Sequence, residues 1–338
     1  MNDEAARDRA PNIRDVARLA GVSHQTVSRV LNDPAAVREA TKTRVQAVMD
    51  QLNYRPNRAA RALVTSRSRT IGVLASQRSQ YGPASTIQAI ENACSESGYM
   101  VSTVNLADTD DASILAALDH LLARGVDALV IIAPQVRVFG AIQRLDVRVP
   151  FVTVQASEDD ENAIGVDQTL GARLATRHLI ELGHRHIYHL AGPQDWIEAE
   201  SRMRGFLAEM GDQDVPTTAP ILGDWSADFG YRAGRELISI RDFTAIFSSN
   251  DQMALGLIHA IREAGYDVPR DVSIIGFDDI PEAAHFWPPL TTVRQDFAEL
   301  GRQCVARLIG QLENDAVGWS GRIAPELIVR KSTAPPSF

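Results

Sequence analysis

Apolar residues follow two regimes along this chain. Over residues 13–53 they recur at helical spacing; from residue 71 they come in short unbroken runs separated by longer amphipathic stretches. In the first regime Ile13, Val16, Ala17 and Ala20 line one helical face. Gly21 is placed to end that helix, and Ser23 to cap a second. In the second helix Val27, Val30 and Leu31 point inward, while His24, Gln25, Ser28 and Arg29 share the outer face. Asn32-Asp33-Pro34 breaks the chain. A third helix is expected from about Thr41 to Asn53, with Val45, Val48, Met49 and Leu52 inward and Pro56 as its stop.

The second regime alternates strands and helices. Strands are expected at 71–75, 100–105, 128–133 and 149–154, with a helix after Pro83 and another ending at Arg124. The pattern restarts with a helix over 168–182, then strand 187–191, helix 202–210, strand 245–248, helix 251–264 and strand 272–277. Such alternation predicts parallel sheets with crossover helices, and the restart predicts two similar lobes. The fold class is therefore an all-α helix-turn-helix head before an α/β core of two parallel-sheet lobes. The expected boundaries are 1–56 for the head, 57–70 for a linker and 71–338 for the core. Lobe one takes about 71–166 and 296–324, and lobe two about 167–295 and 325–331. Ligands of open α/β sheets bind beyond the carboxyl ends of the strands, and one lying between two lobes would close them by a hinge.

The net charge of −9 conceals an asymmetry. Residues 1–70 hold 13 Arg/Lys against 7 Asp/Glu, or +6; the rest holds 21 against 36, or −15. A basic head on an acidic body suits a polyanionic partner for the head alone. Lys42 and Lys331 are the only lysines and neither follows a glycine, which excludes a P-loop ATPase. Two cysteines, Cys94 and Cys304, make no disulfide framework and fit a reducing cytosol. The charged start MNDEAARDRAPN does not read as a secretory signal, and no apolar run is long enough to span a membrane.

Helix, glycine turn and helix make the helix-turn-helix pattern, whose second helix can enter the major groove. Arg29 can bond a guanine edge bidentately and Gln25 an adenine edge. Ser23, Thr26, Ser28, Asn32 and Tyr54 are candidate phosphate donors that set register. The competing reading of the same pattern is a plain three-helix cap with a polar surface.

The run IRDVARLAGVSHQTVSRVLN (13–32), with LNYRPNRAARAL (52–63), resembles the DNA-binding head of the lactose-repressor (LacI/GalR) family of transcriptional regulators. The similarity continues through AGP (191–193), GDWS (223–226), NDQMALG (250–256), FDD (277–279) and PPLTTVRQDF (288–297). The resemblance implies that His24, Gln25 and Arg29 read an operator, His24 replacing the tyrosine of the founding member. It implies that Asn57, Arg58, Ala59, Ala60 and Arg61 belong to a hinge that becomes helical only on DNA and pairs with its twin. Arg58 and Arg61 would lie along the backbone or groove, the two alanines would allow close approach, and Leu63 would wedge into the minor groove.

For the core it implies a periplasmic-binding-protein-like fold. Arg202, Trp225, Asn250, Asp278, Gln295 and Phe297 match the family's sugar-contacting or pocket positions. Trp225 offers a face for a sugar ring, and Arg202 and Asp278 offer charge-assisted partners for hydroxyls. Taken singly, Trp225 reads as core, Asp278 as a cap and Arg202 as a surface ion pair; only together do they suggest a sugar site. Ser76, Tyr81 and Pro83 are expected to complete the apolar side. Gln155 replaces an aspartate, Val166 a phenylalanine, and the loop 194–200 brings Trp196 and Glu198 where the founding member has serines. Glu198 would repel a phosphorylated sugar.

His184, His186 and His189, with His178 upstream, fall on a loop-to-strand run, and a metal is not expected there. No catalytic cluster or nucleophile elbow is present, so neither an enzyme nor a cofactor is expected. The tail KSTAPPSF stops short of the founding member's tetramer-forming leucine heptads, which implies a homodimer on a pseudo-palindromic operator. The expectation is a cytoplasmic repressor of carbohydrate-utilisation genes, released from DNA by a sugar between the lobes. The alternatives are a corepressor-type or purine-responsive regulator, a transporter's solute-binding protein, or a sugar-modifying enzyme.

Overall fold

The computed structural model describes residues 11–32, 34–55, 67–76, 79–106, 108, 110–142, 147–155, 162–315 and 322–337. The chain divides into two compact units, Met1–Ser68 and Arg69–Phe338.

In the first unit lie α1 (Ile13–Ala20), α2 (His24–Asn32), a 3-10 turn (Pro34–Ala36) and α3 (Glu39–Gln51). Asn12 starts α1 with a capping box: its side chain accepts from the backbone N–H of Arg14 and Asp15, and Asp15 accepts from the N–H of Asn12 at 3.0 Å. Gly21 ends α1 in the left-handed region at φ 63°, a conformation costly for any residue with a Cβ. Ser23 Oγ accepts the N–H of Thr26 at 3.1 Å and so caps α2. Val16, Val27 and Val45 meet with no exposed surface, joined by Ala17, Ala20, Val30 and Met49. Helix α3 begins before the expected Thr41 and ends at Gln51, so Pro56 is not its stop; Asn53, at φ 50°, turns the chain first.

In the second unit β1 (Thr70–Ala75), α4 (Tyr81–Glu96), β2 (Met100–Asn105), α5 (Asp111–Ala123), β3 (Ala128–Ile132), α6 (Val136–Ile142), β4 (Phe151–Val154) and β5 (Ala163–Val166) open the first lobe. The second lobe holds α7 (Gln168–Glu181), β6 (Ile187–Ala191), α8 (Ile197–Asp212), β7 (Ile221–Leu222), α9 (Ala227–Ile240), β8 (Ala245–Ser248), α10 (Asp251–Glu263), β9 (Ser273–Asp278) and β10 (Thr291–Arg294). The chain then returns to α11 (Phe297–Glu313), β11 (Arg322–Ile323) and β12 (Glu326–Ile328). One sheet runs β11-β5-β4-β3-β1-β2, all parallel; the other runs β12-β10-β9-β8-β6-β7, with β12 alone antiparallel. Three segments pass between the sheets: β5 to α7, β10 to α11, and β11 to β12.

Period-two alternation feeds both faces of each sheet. Ile71, Val73 and Ala75 of β1 pack with α4 and α11, while Leu74 joins α5 and α6 on the other face. In the second lobe Ile246 and Ile274 face α9 and α10, while Phe247 and Ile275 face α7 and α8. Each such fully buried Val, Leu, Ile or Phe side chain contributes roughly 1.5–3 kcal/mol.

The expected helix over 202–210 is longer, and swallows part of the expected loop 194–200, so Glu198 stands in its first turn. Helices α6 and α9 and the strands β5, β7, β10, β11 and β12 lay outside the expected elements. For α9 a signal existed: Ser226 caps it, accepting from the N–H of Phe229 at 3.1 Å.

Candidate functional site

Parallel strands send their carboxyl ends to one side, and in the core unit the two sheets aim those ends at a shared cavity of about 350 Å³. That size lies at the lower end of small-molecule pockets, roughly 300–1,000 Å³. Tyr81 and Pro83, Gln155, Trp225, Asn250, Asp278, Gln295 and Phe297 all line it, as does Arg202 of α8. Ser76, expected among them, does not. Its hydroxyl turns away at the end of β1 to donate to Gln135 Oε1 at 2.7 Å, and the residue is buried.

Four of the lining residues form a closed ring of side chains. Arg202 Nε donates to Gln168 Oε1 at 2.9 Å, Gln168 Nε2 to Gln295 Oε1 at 2.7 Å, and Gln295 Nε2 to Asp278 Oδ1 at 2.7 Å. Arg202 Nη2 closes it on the same Asp278 oxygen at 3.4 Å, while Nη1 donates to the Ser249 carbonyl. The guanidinium also lies over the Phe277 ring, 3.9 Å from its centroid. Burial pushes the Asp278 carboxyl up to about 6, against the opposing pull of Arg202. Desolvation likewise lowers the Arg202 pKa. Asp278 and Asp279 both adopt positive φ, 107° and 53°, at the end of β9. Arg294 and Arg330 hold Asp279 there at 2.7 and 2.6 Å. Gln168 was not among the expected site residues, because its importance depends on two partners remote in sequence, Arg202 and Gln295.

The aromatic wall is Trp225, itself at φ 71°, packed edge-on against Trp196 with ring centroids 5.4 Å apart. Gly192 backs the indole so closely that a Cβ there would fall within the ring. Asn250 caps α10, accepting from the N–H of Met253 at 2.9 Å, and donates to the Trp225 carbonyl at 3.0 Å. Residues 195–197 meet the first lobe across the cavity: Ile197 N–H donates to the Pro134 carbonyl at 2.9 Å and Val136 N–H to the Asp195 carbonyl at 3.2 Å. The next residue, Glu198, also lines the cavity. Its Oε2 is buried with no hydrogen-bond partner, and burial pushes the carboxyl up to about 7.

Of the four histidines of the 178–189 run, His186 is exposed and the other three are held by packing or hydrogen bonds. His189 stacks between Phe206 and Phe247, and burial pushes its pKa down to about 4. His184 shares hydrogen bonds with Thr244 and the Ala334 carbonyl, and His178 with Thr333. Among the described residues no group of His, Cys, Asp and Glu has a metal-holding arrangement. Cys94 and Cys304 are buried in α4 and α11, and burial raises both thiol pKa values, Cys94 to about 12.

In the first unit His24, Gln25 and Arg29 are exposed and Ser28 is half-buried, together on the outer face of α2. Ser23 is exposed and Thr26 half-buried, their hydroxyls 2.9 Å apart. Tyr54 is half-buried against the small core, which raises its pKa. The backbone of Asn32 ends α2. Asn57, Arg58, Ala59, Ala60, Arg61 and Leu63 lie outside the described residues.

The bacterial regulatory proteins of the lacI family match residues 12–57, and a periplasmic binding protein-like domain matches residues 176–333. The lactose operon repressor of Escherichia coli (strain K12) is 35% identical over 328 residues, covering 96% of this chain and 91% of the repressor. The chain belongs to the lacI family. A second relative is the HTH-type transcriptional repressor PurR of Photorhabdus laumondii, 34% identical over 336 residues, covering 96% of this chain and 98% of PurR. The crystal structure of the Lac repressor dimer bound to operator and the anti-inducer ONPF superposes with a TM-score of 0.86 at 34% identity, covering 96% of this chain and all of that one. As a lacI-family member, the chain is a DNA-binding transcriptional regulator rather than an enzyme. Its two six-stranded sheets are the family's periplasmic-binding-protein-like core. Among the described residues no helix is long and apolar enough to cross a membrane.

Proposed function

We propose that this chain is a cytoplasmic repressor of carbohydrate-use genes, binding operator DNA as a homodimer and released by a sugar held in the core cavity. One observation carries the reading. The Trp225 face stands beside a prearranged Arg202–Asp278 pair and Asn250 in a cavity of small-molecule size. An apolar plate next to directional, charge-assisted partners suits a ring with a C–H face and a hydroxyl rim.

In this reading Arg29, Gln25 and His24 meet base edges, and Ser23, Thr26, Ser28, Asn32 and Tyr54 hold phosphates. Residues 1–56 form the head and 57–70 the hinge, with Asn57, Arg58, Ala60, Arg61 and Leu63 acting on DNA, and 71–338 form the core. The dimer and operator rest on the Lac repressor assembly. The sugar shifts the lobes by no more than its differential affinity for their two arrangements. The PurR relative favours a second reading, in which a purine strengthens DNA binding.

Gel shifts on promoter fragments, paired with calorimetry on the core ligand, test this. Arg29→Ala is expected to abolish operator preference and leave ligand affinity unchanged; Asp278→Asn does the reverse. Equal loss of both in either variant contradicts the division of labour. The sign of the ligand's effect on the gel shift separates release from corepression.

A further inference from the structure

Two residues of the cavity lining each carry a buried polar atom that the protein leaves unsatisfied, and the two atoms have opposite character. Glu198 Oε2 is an acceptor without a donor, and Trp225 Nε1 is a donor without an acceptor. Both residues line the cavity, and Trp225 is only 6% exposed. Buried polar groups in native folds are paired, so each such orphan needs a reason. Three other directional groups of the wall are already engaged: Asp278 by Arg202 and Gln295, Arg202 by Gln168 and Ser249, and Asn250 by Trp225 and Met253. The backbone bonds of Asp195 and Ile197 to Val136 and Pro134 tie the start of α8, next to Glu198, to the first lobe.

Three ligand types differ in how they meet this pair. An ammonium would satisfy Glu198 and leave the indole N–H unpaired. A phosphate ester or carboxylate would satisfy the indole and face the unpaired carboxyl of Glu198. Hydroxyl groups both donate and accept, so a neutral polyol meets both at once. We infer that Glu198 and Trp225 Nε1 form a specificity pair that selects an uncharged, unphosphorylated sugar, one hydroxyl donating to Glu198 and an oxygen accepting from Trp225. The inference rests on the carbohydrate reading above and assigns the ligand's charge class within it.

Thermal-shift measurements on the full-length chain test it, using free hexoses, their 6-phosphates, their 2-amino forms and purine bases. A free hexose is expected to stabilise the chain while its phosphate and amine do not. By calorimetry Glu198→Gln and Trp225→Phe are each expected to weaken that hexose about tenfold or more, the range of a charge-assisted or buried hydrogen bond. Trp225→Phe retains the aromatic face, so loss there reports the N–H. A phosphate or amine that outbinds its free sugar, or two folded variants that bind the hexose as the wild type does, overturns the inference and leaves the carbohydrate reading standing. Stabilisation by a purine alone, or by no sugar form, overturns the carbohydrate reading and this inference with it.

Discussion

Gln168 Nε2 and Gln295 Oε1 lie 2.7 Å apart, although 127 residues separate them in the chain. Gln168 opens α7 just after the first crossing between the sheets, and Gln295 lies in the second crossing. The amide pair thus ties together two of the three crossings between the lobes, and the same two side chains hold Arg202 and Asp278. A ligand that moves either charged group must move the hinge brace, which gives the cavity a physical route to lobe arrangement.

Gln168→Leu would orphan the Arg202 Nε–H and Gln295 Oε1 in the interior. Each buried unpaired group costs about 1–3 kcal/mol, so the melting temperature should fall by several degrees and ligand affinity should drop with it. Thermal melts and calorimetry check both, and an unchanged melting temperature would show the ring to be incidental.

Arg202 and Asp278 form a buried ion pair, 6% and 7% exposed. Arg202→Met strands the carboxylate and is expected to cost about 3–5 kcal/mol. Adding Asp278→Asn should recover part of that cost, because no buried charge then lacks a partner. Strictly additive losses in a double-mutant cycle would disprove the coupling.

Gly192→Ala forces the Trp225 indole off its seat. The expected result is loss of ligand binding at a modest stability cost of about 1–3 kcal/mol, with an altered tryptophan fluorescence spectrum. Wild-type ligand affinity in this variant would remove Trp225 from the binding wall.

Burial raises Glu198 from 4.5 to about 7. Between those values the folded chain keeps a proton that the unfolded chain has released, so this group makes stability fall as pH rises through the window. His189, lowered by burial from 6.5 to about 4, acts in the opposite sense and loses stability as pH falls through its own window. Glu198→Gln removes only the first effect. Relative to wild type it should gain on the order of 3 kcal/mol at most between about pH 5 and pH 8. Parallel melts at the two pH values test this, and a pH-independent difference would mean an ordinary carboxylate.

Local signals made the head legible. Helical spacing, Gly21 and Ser23 each act within one or two turns, and each is found doing the expected work. Most strand positions in the core were legible for the same reason, since short apolar runs buried on both faces need no distant information, although the interior strands β5 and β10 were missed. The edges were not: β7, β11 and β12 are only two or three residues long and exist because a neighbouring strand pairs with them. At the cavity, residues near strand ends such as Asp278 and Trp225 could be anticipated, whereas Ser76 was misplaced because its hydroxyl answers to Gln135, a partner set by strand order.

By itself the amino-acid sequence determined most of the helices and the longer strands, that a basic three-helix head precedes an acidic two-lobed body, and which chemical groups were available. Which of those groups meet was decided by the tertiary structure alone. The ring through Gln168, Gln295, Asp278 and Arg202, and the unsatisfied Glu198 and Trp225 of the same cavity lining, arise where parallel strands from two sheets end at one place. That convergence follows from crossover topology and long-range packing, neither of which is written in any local stretch of chain.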